Sequence, residues 1–234
     1  MSGTLDEGQV RAMFDRIAGV YDRMNLVMTA GLDRRWRARA ADLAGVEPGA
    51  RVLDVATGTG DLAFELAARV GHEGEVIGVD FAEAMLERAR EKASAGSLVR
   101  FQSGDALHLD YPDDRFDAAT VAFGARNFSD LGRGLAEMAR VVAPGGRVVI
   151  LEITTPRRAP LSWFYSLWFD RIVPGLGHVA GDPDAYGYLP DSVKRFPGPE
   201  GLAAAMEQAG LHDIRYVITA GGIIALHVGE VVEG

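Results

Sequence analysis

The chain contains no cysteine, so neither a disulfide nor a thiolate nucleophile is available to it. It lacks any stretch approaching the ~20 apolar residues of a membrane span. Its first residues, MSGTLDEGQVRAMFDR, are polar and charged, without an apolar signal core. A soluble, cytoplasmic protein is the expectation. Cations are the minority charge: 24 Lys and Arg against 33 Asp and Glu leave a formal net charge of −9. Non-specific binding of nucleic acid depends on basic patches and is not expected. No Gly-Lys-Ser/Thr accompanies the glycine-rich turn at residues 54–61, which excludes a Walker-type phosphate loop. No His/Asp cluster has the spacing of metal ligands, so no metal is expected.

What is present is a regular alternation. Residues 9–17 and 33–44 have helical patterning. Arg51–Val55 is a short apolar strand, and Asp61–Val70 repeats apolar residues at 62, 63, 66, 67 and 70, the period of one helix face. Glu75–Val79 (strand), Ala82–Ala93 (helix), then Leu98–Gln102 and Phe116–Ala122 (strands) continue the series. Leu131–Val142 is helical and stops at APGG, and Arg147–Ile153 is a β-branched strand. Such alternation predicts parallel βαβ units with helices on both faces of a twisted sheet. After a helix at Pro199–Ala209, the runs IRYVIT and IIALHVGEV around a Gly-Gly turn predict a hairpin. The predicted fold is α/β, a seven-stranded Rossmann-like sheet, mostly parallel, with an antiparallel C-terminal strand. One domain spans 1–234, with an N-terminal helical lid at 1–45. Residues 155–198, carrying SWFYSLWFDRIVPGLG and a Gly/Pro/Asp-rich loop, interrupt the rhythm as an insertion on the substrate side.

The stretch DVATGTGD at 54–61 is the candidate ligand loop, with Gly58 and Gly60 flanking Thr59. Gly58, Gly60 and Ala63 satisfy the loose dinucleotide pattern, and Asp80 ends the second strand 20 residues after Gly60, where it suits ribose hydroxyls. Dinucleotide and S-adenosylmethionine fit this much equally well. Charge separates them. A pyrophosphate wants the bare positive end of a helix, but Asp61 stands there and Asp54 lies just upstream. Carboxylates repel a pyrophosphate and attract a sulfonium or an ammonium; unit charges ~4 Å apart interact by about 4 kcal/mol at an effective dielectric near 20. The bland readings are a helix-terminal acid for Asp61 and a turn carboxylate for Asp54. Asp105, past the third strand, can accept from an adenine amino group while the Ala106 amide meets a ring nitrogen; its bland reading is an Asx-turn.

A family resemblance joins these motifs. VLDVATGTGDL, GVDFAEAMLERA, GDA, RFDAATVAFGARN and RVVAPGGRVVILE resemble the successive motifs of class I S-adenosylmethionine methyltransferases. YDRMNLVMTAGLDRRW (21–36), FGARN (123–127), RVVAPGGRVVILEIT (140–154) and AGDPDAYGYLPDSVKRFP (180–197) are similar to signatures of the quinone-biosynthesis C-methyltransferases. The resemblance covers about residues 10 to 230. It departs at Thr29 (usually serine), Asp33 (histidine), Ala143 (lysine), Thr154 (serine) and Ala122 (serine in some relatives). Asp33 reverses the charge of the usual residue, so no role is placed there.

The resemblance implies S-adenosylmethionine as methyl donor, held by Asp54, Gly58, Thr59, Gly60, Asp80, Asp105 and Ala106. It implies C-methylation of a polyprenyl quinol, first demethylmenaquinol, with the benzoquinol precursor of ubiquinone as the alternative. An NAD-dependent oxidoreductase and a catalytically silent adenosylmethionine-binding module are the readings from other classes. A quinol ring attacks once a hydroxyl loses its proton; a phenolic pKa near 10 lies roughly three units from neutrality, or ~4 kcal/mol. Arg126, after the fourth strand, is placed to stabilise that oxyanion and Asn127 to donate a second hydrogen bond. In the resembling family the arginine acts on the quinol hydroxyl through a water; being always protonated, it is no direct base. The bland reading of Arg126 is a salt bridge. His178, Tyr186 and Tyr188 are general-base candidates. Tyr21, Asp22 and Asn25 belong to the lid, and Tyr21, Asn25 and Tyr186 are expected to meet the substrate. Trp163, Phe164, Leu167, Trp168 and Phe169, flanked by Arg157, Arg158 and Arg171, read as an entry for an isoprenoid tail near the inner face of a membrane. The same stretch reads as a buried core or homodimer helix. The net charge opposes stable attachment to anionic lipid, so only transient peripheral contact is expected.

Overall fold

Strand β1 (Arg51–Val55) is apolar almost throughout because both its faces are covered. It pairs in parallel with β2 (Glu75–Asp80) on one side and with β4 (Phe116–Ala122) on the other. The computed structural model describes residues 6–93, 97–156, 159–172, 175 and 182–233. Adding β3 (Val99–Ser103), β5 (Val142–Ile153), β6 (His212–Thr219) and β7 (Ile224–Glu230) gives one seven-stranded sheet of order β3-β2-β1-β4-β5-β7-β6. β7 runs antiparallel to both of its neighbours, β5 and β6, and the other pairings are parallel, as the alternation and the terminal hairpin predict.

Alternate residues of each strand face opposite layers. Leu53 and Val55 look toward α6 (Leu131–Val141) and α9 (Pro199–Gln208), packing on Leu135, Met138, Leu202 and Met206. Val52 looks the other way, toward α3 (Leu32–Leu43) and α4 (Asp61–Val70), with Ala40, Leu62 and Leu66. α5 (Glu83–Lys92) buries Met85 and Leu86. Helix starts follow the local chemistry: Asp6 and Gln9 form a reciprocal capping box at α1 (Glu7–Ile17), and the Asp130 side chain accepts from the Arg133 amide at α6.

Three differences from the sequence reading stand out. A separate helix α2 (Tyr21–Thr29) lies between the two expected N-terminal helices, with no fully buried residue and therefore no clear apolar stripe to read. Strand β5 begins at Val142 rather than Arg147. APGG does end α6, but it bulges out of a strand in which Phe116 faces Val142 and Ala118 faces Arg147. The insertion holds α7 (Leu161–Leu167) and, in place of part of the expected loop, α8 (Pro183–Arg195). The Asp182 side chain caps α8 by accepting from the Ala185 amide, and the helix runs through Pro190. His178, Arg157 and Arg158 lie outside the described residues.

Candidate active site

The carboxyl ends of β1, β2 and β4 open onto a cavity of about 350 Å³. The turn after β1 makes its floor. Gly60 has φ +83, and a Cβ there would sit 2.6 Å from the Phe101 ring, so this position needs glycine on both counts. Gly58, Thr59, Asp61, Asp105 and Ala106 line the same cavity.

The acids sit in different environments. Asp54 is buried and accepts hydrogen bonds from Thr57 Oγ1 at 2.6 Å and Thr120 Oγ1 at 2.7 Å. Burial raises its pKa to about 6, against the lowering effect of those two hydroxyls and of Arg37. Asp80 accepts from the Gly58 amide at 2.8 Å and the Ala82 amide at 2.9 Å, and burial likewise raises it to about 6. Asp80 therefore ties the glycine turn to the end of β2. Asp105 is exposed and accepts from the Leu107 amide at 2.8 Å, the Asx-turn geometry. Asp61 pairs with Lys92 and lies 3.9 Å from Arg37.

The N-terminal helices are tied to this floor. Thr59 Oγ1 donates to Asp22 at 2.6 Å, and Lys92 Nζ reaches the same aspartate at 2.9 Å. Helix α2 is thereby latched to the glycine turn and to α5. Lys92 and Asp22 as latch partners were not foreseen, and a contact spanning 70 residues leaves no local signal.

A second cavity of about 480 Å³ adjoins the first and is walled mainly by apolar side chains. It lies between α1, α2, α3 and the insertion, with Met24, Met28, Trp36, Trp168 and Leu189 in its lining. Phe14, Tyr21, Arg37 and Phe123 line both cavities and form the partition. The Arg37 guanidinium lies 5.3 Å from the Phe123 ring centroid and is buried in an ion pair with Asp33. The side chain that replaces the usual histidine thus holds the partition arginine. Asn25 lines the apolar cavity alone. The side chain of Tyr186 lies outside the described residues.

Arg126 and Asn127 share one 3₁₀ turn after β4, yet Arg126 lines the apolar cavity and Asn127 the acidic one. Arg126 is paired with Glu152 at 2.8 Å, with side-chain exposures of 7% and 2%, and it also donates to the Phe123 carbonyl. Its Nε–H is buried without an acceptor among the described residues. Tyr188 donates its hydroxyl to Asn127 Oδ1 at 3.2 Å, which orients the amide NH₂ as the donor end. Glu152 escaped the sequence reading; the signal was one carboxylate inside the apolar strand VVILEI.

The ubiE/COQ5 methyltransferase family model matches residues 2–231. Demethylmenaquinone methyltransferase of Thermus thermophilus is 49% identical over 220 residues, covering 93% of this chain and 99% of its own. The Ubiquinone/menaquinone biosynthesis C-methyltransferase UbiE of Geobacter sulfurreducens is 41% identical, covering 95% and 88%. Among solved structures, a SAM dependent methyltransferase from Aquifex aeolicus superposes with a TM-score of 0.60 at 22% identity, covering 84% of this chain and 89% of its own. The [4+2]-cyclase SpnF does so at 0.67 and 20%, covering 97% and 96%. Those likenesses establish the class I methyltransferase fold, which hosts more than one chemistry. The family rests on the near-complete match in sequence: the chain belongs to the ubiE/COQ5 methyltransferase family.

Proposed function

We propose that this enzyme methylates a ring carbon of a polyprenyl quinol, first demethylmenaquinol, using S-adenosylmethionine as donor. The observation that carries the reading is the pairing of cavities: an acid-lined one and an apolar one share a partition of four side chains, and adjacent residues Arg126 and Asn127 face one each. The donor, when bound, supplies an electrophilic methyl group on a sulfonium. The residues of the acidic cavity fit such a cation. Asp54 and Asp61 provide the negative charge, and Asp80, after its two amide bonds, keeps lone pairs for ribose hydroxyls. Asp105 and Ala106 are left for the adenine.

On the substrate side, a quinol ring fits a cavity of about 480 Å³, within the range of small-molecule sites. Arg126 holds a fixed guanidinium on that wall, where its charge would stabilise a quinol oxygen, directly or through water. Glu152 fixes that arginine. The Asn127 amide adds a donor from the same turn. Phe123 and Tyr21, shared by both cavities, keep bulk water from the point of transfer. The relatives at 49% and 48% identity are named demethylmenaquinone methyltransferase, which supports the naphthoquinol over the benzoquinol precursor of ubiquinone. No helix among the described residues is long and apolar enough to cross a membrane.

Calorimetric titration with S-adenosylhomocysteine and with NADH tests the cofactor. The expected outcome is micromolar-range binding of the first and none of the second; binding of NADH alone would sink the reading.

A further inference from the structure

Val27 and Leu32 line the apolar cavity and are also 58% and 43% exposed, so they stand at its mouth. Leu26 beside them is 47% exposed. The wall helix α7 turns Tyr165 toward the cavity and Trp163, 74% exposed, and Leu167 outward; Trp168, in the turn just after α7, also lines the cavity. Among the described residues, the exposed large apolar side chains fall mainly into two groups: Tyr216, Val217 and Ile218 on edge strand β6 with Val232 after β7, and Leu26, Val27, Leu32, Trp163 and Leu167 on helices that enclose the apolar cavity, where at Val27 and Leu32 the outer surface is continuous with the cavity lining.

The charges around that mouth run against those of the molecule. The whole chain is at −9, but residues 21–39 hold five arginines and two aspartates. Both aspartates are occupied, Asp22 by Lys92 and Asp33 by Arg37. Elsewhere arginines are typically paired, Arg69 with Asp42, Arg90 with Glu83, Arg115 with Glu75, Arg140 with Glu137. Arg23, Arg34, Arg35 and Arg39 are exposed and carry no ion pair among the described residues. On α2, Arg23, Leu26 and Val27 share one stripe at i, i+3 and i+4; on α3, Leu32, Arg35 and Arg39 share one at i, i+3 and i+7. Apolar side chains flanked by unpaired cations on adjoining helices are the pattern of a surface that lies in a lipid interface.

From these features we infer that the α2–α3 corner, with the outer face of α7, docks on an anionic phospholipid surface and holds the mouth of the apolar cavity against it. The inference deepens the quinol reading, on which its purpose rests. A cavity of this size takes the ring and the start of the tail, and the rest of a polyprenyl chain stays in lipid without crossing water. The arginines supply the attraction and Leu26, Val27, Leu32 and Trp163 the insertion, which removes the objection raised by the overall negative charge.

Sedimentation of the full chain with vesicles of phosphatidylcholine alone, and of phosphatidylcholine with phosphatidylglycerol, tests this. Wild type is expected to sediment with the mixed vesicles, more weakly as salt rises. The double variant Arg35→Glu/Arg39→Glu should lose about tenfold or more of that binding. Leu26→Ser/Trp163→Ser should weaken it on the same vesicles. Circular dichroism and methyl transfer to a short-tailed, detergent-dispersed quinol should stay at wild-type level in all variants. Failure of wild type to sediment, equal binding to neutral vesicles, or variants that bind like wild type would overturn the inference. So would a dimer in sedimentation velocity that the same variants split without affecting vesicle binding, since the face would then join two copies. Vesicle binding by a wild type that transfers no methyl supports the surface and counts against the quinol reading alone.

Discussion

At the scale of single residues, the chemistry turns on charges held out of water. Arg126 and Glu152 form a buried pair, so removing one member leaves the other uncompensated. Arg126→Ala is expected to destabilise the fold by about 3–5 kcal/mol, measured by urea denaturation. Arg126→Ala/Glu152→Gln should recover much of that stability and still lose about 10²-fold in kcat while cofactor affinity stays near wild type. Equal loss of turnover and cofactor affinity would refute the assigned role. Asp54 and Asp80 behave differently. Burial raises both to about 6, above the ordinary carboxylate value, so the folded protein binds their protons more tightly than the unfolded chain. In the absence of ligand, stability from these groups is present below the unfolded value and is lost as pH rises through about 6. A bound cation reverses the preference by favouring the ionised forms. Affinity for S-adenosylmethionine should therefore fall as pH drops through about 6, by roughly tenfold per acid at one unit below. A flat affinity between pH 5 and 7.5 in calorimetry would remove these acids from cation binding.

At the scale of elements, the strands and the glycine turn were legible because their patterns are local. The run Val52–Val55 followed by Gly58 and Gly60 fixes strand, turn and helix start within ten residues, and Gly60 is held by its φ and by Phe101. Gly60→Ala should cost about 1–3 kcal/mol for the left-handed backbone alone, before the clash with Phe101. Helix α2 escaped because nothing in it is fully buried; Tyr21, Met24 and Met28 pack only partly against the cluster around Met13 and Met85, and polar contacts to partners far along the chain add to that hold. Asp22, Thr59, Lys92 and Asp61 form that latch. Asp22→Ala should speed amide exchange across α2 while leaving β1 and α4 protected, as read by hydrogen-exchange mass spectrometry. Unchanged exchange in α2 would show that packing, not the latch, holds the helix. The salt bridge was the bland reading of Arg126 and is present, but its partner Glu152 was illegible for the same reason: the pair joins the turn after β4 to β5, and only the parallel pairing of those strands brings the two together.

At the scale of the whole molecule, a sheet with covered faces directs its carboxyl ends into two adjoining cavities of opposite character. The alternating strand–helix rhythm was enough to predict that sheet. The division of charge was not legible, because a net value of −9 averages over paired and unpaired arginines and only the structure separates them. Far from the site, His227 of β7 is buried, donates through Nε2 to the Pro199 carbonyl at 2.9 Å and stacks on Tyr216. Burial lowers its pKa below the ordinary histidine value. The unfolded chain therefore takes up the proton first, and this contribution is complete above about 6.5 and lost as pH falls below it. The stability of wild type relative to His227→Phe should decline on acidification by up to about 1.4 kcal/mol per pH unit; a pH-independent difference would contradict a neutral buried imidazole. The most direct test of the paired cavities is product analysis by mass spectrometry after incubation with methyl-labelled S-adenosylmethionine and short-tailed demethylmenaquinol. One label on a ring carbon is the expected result. Folded protein that binds the cofactor and returns the quinol unlabelled, or labelled on oxygen, would contradict it.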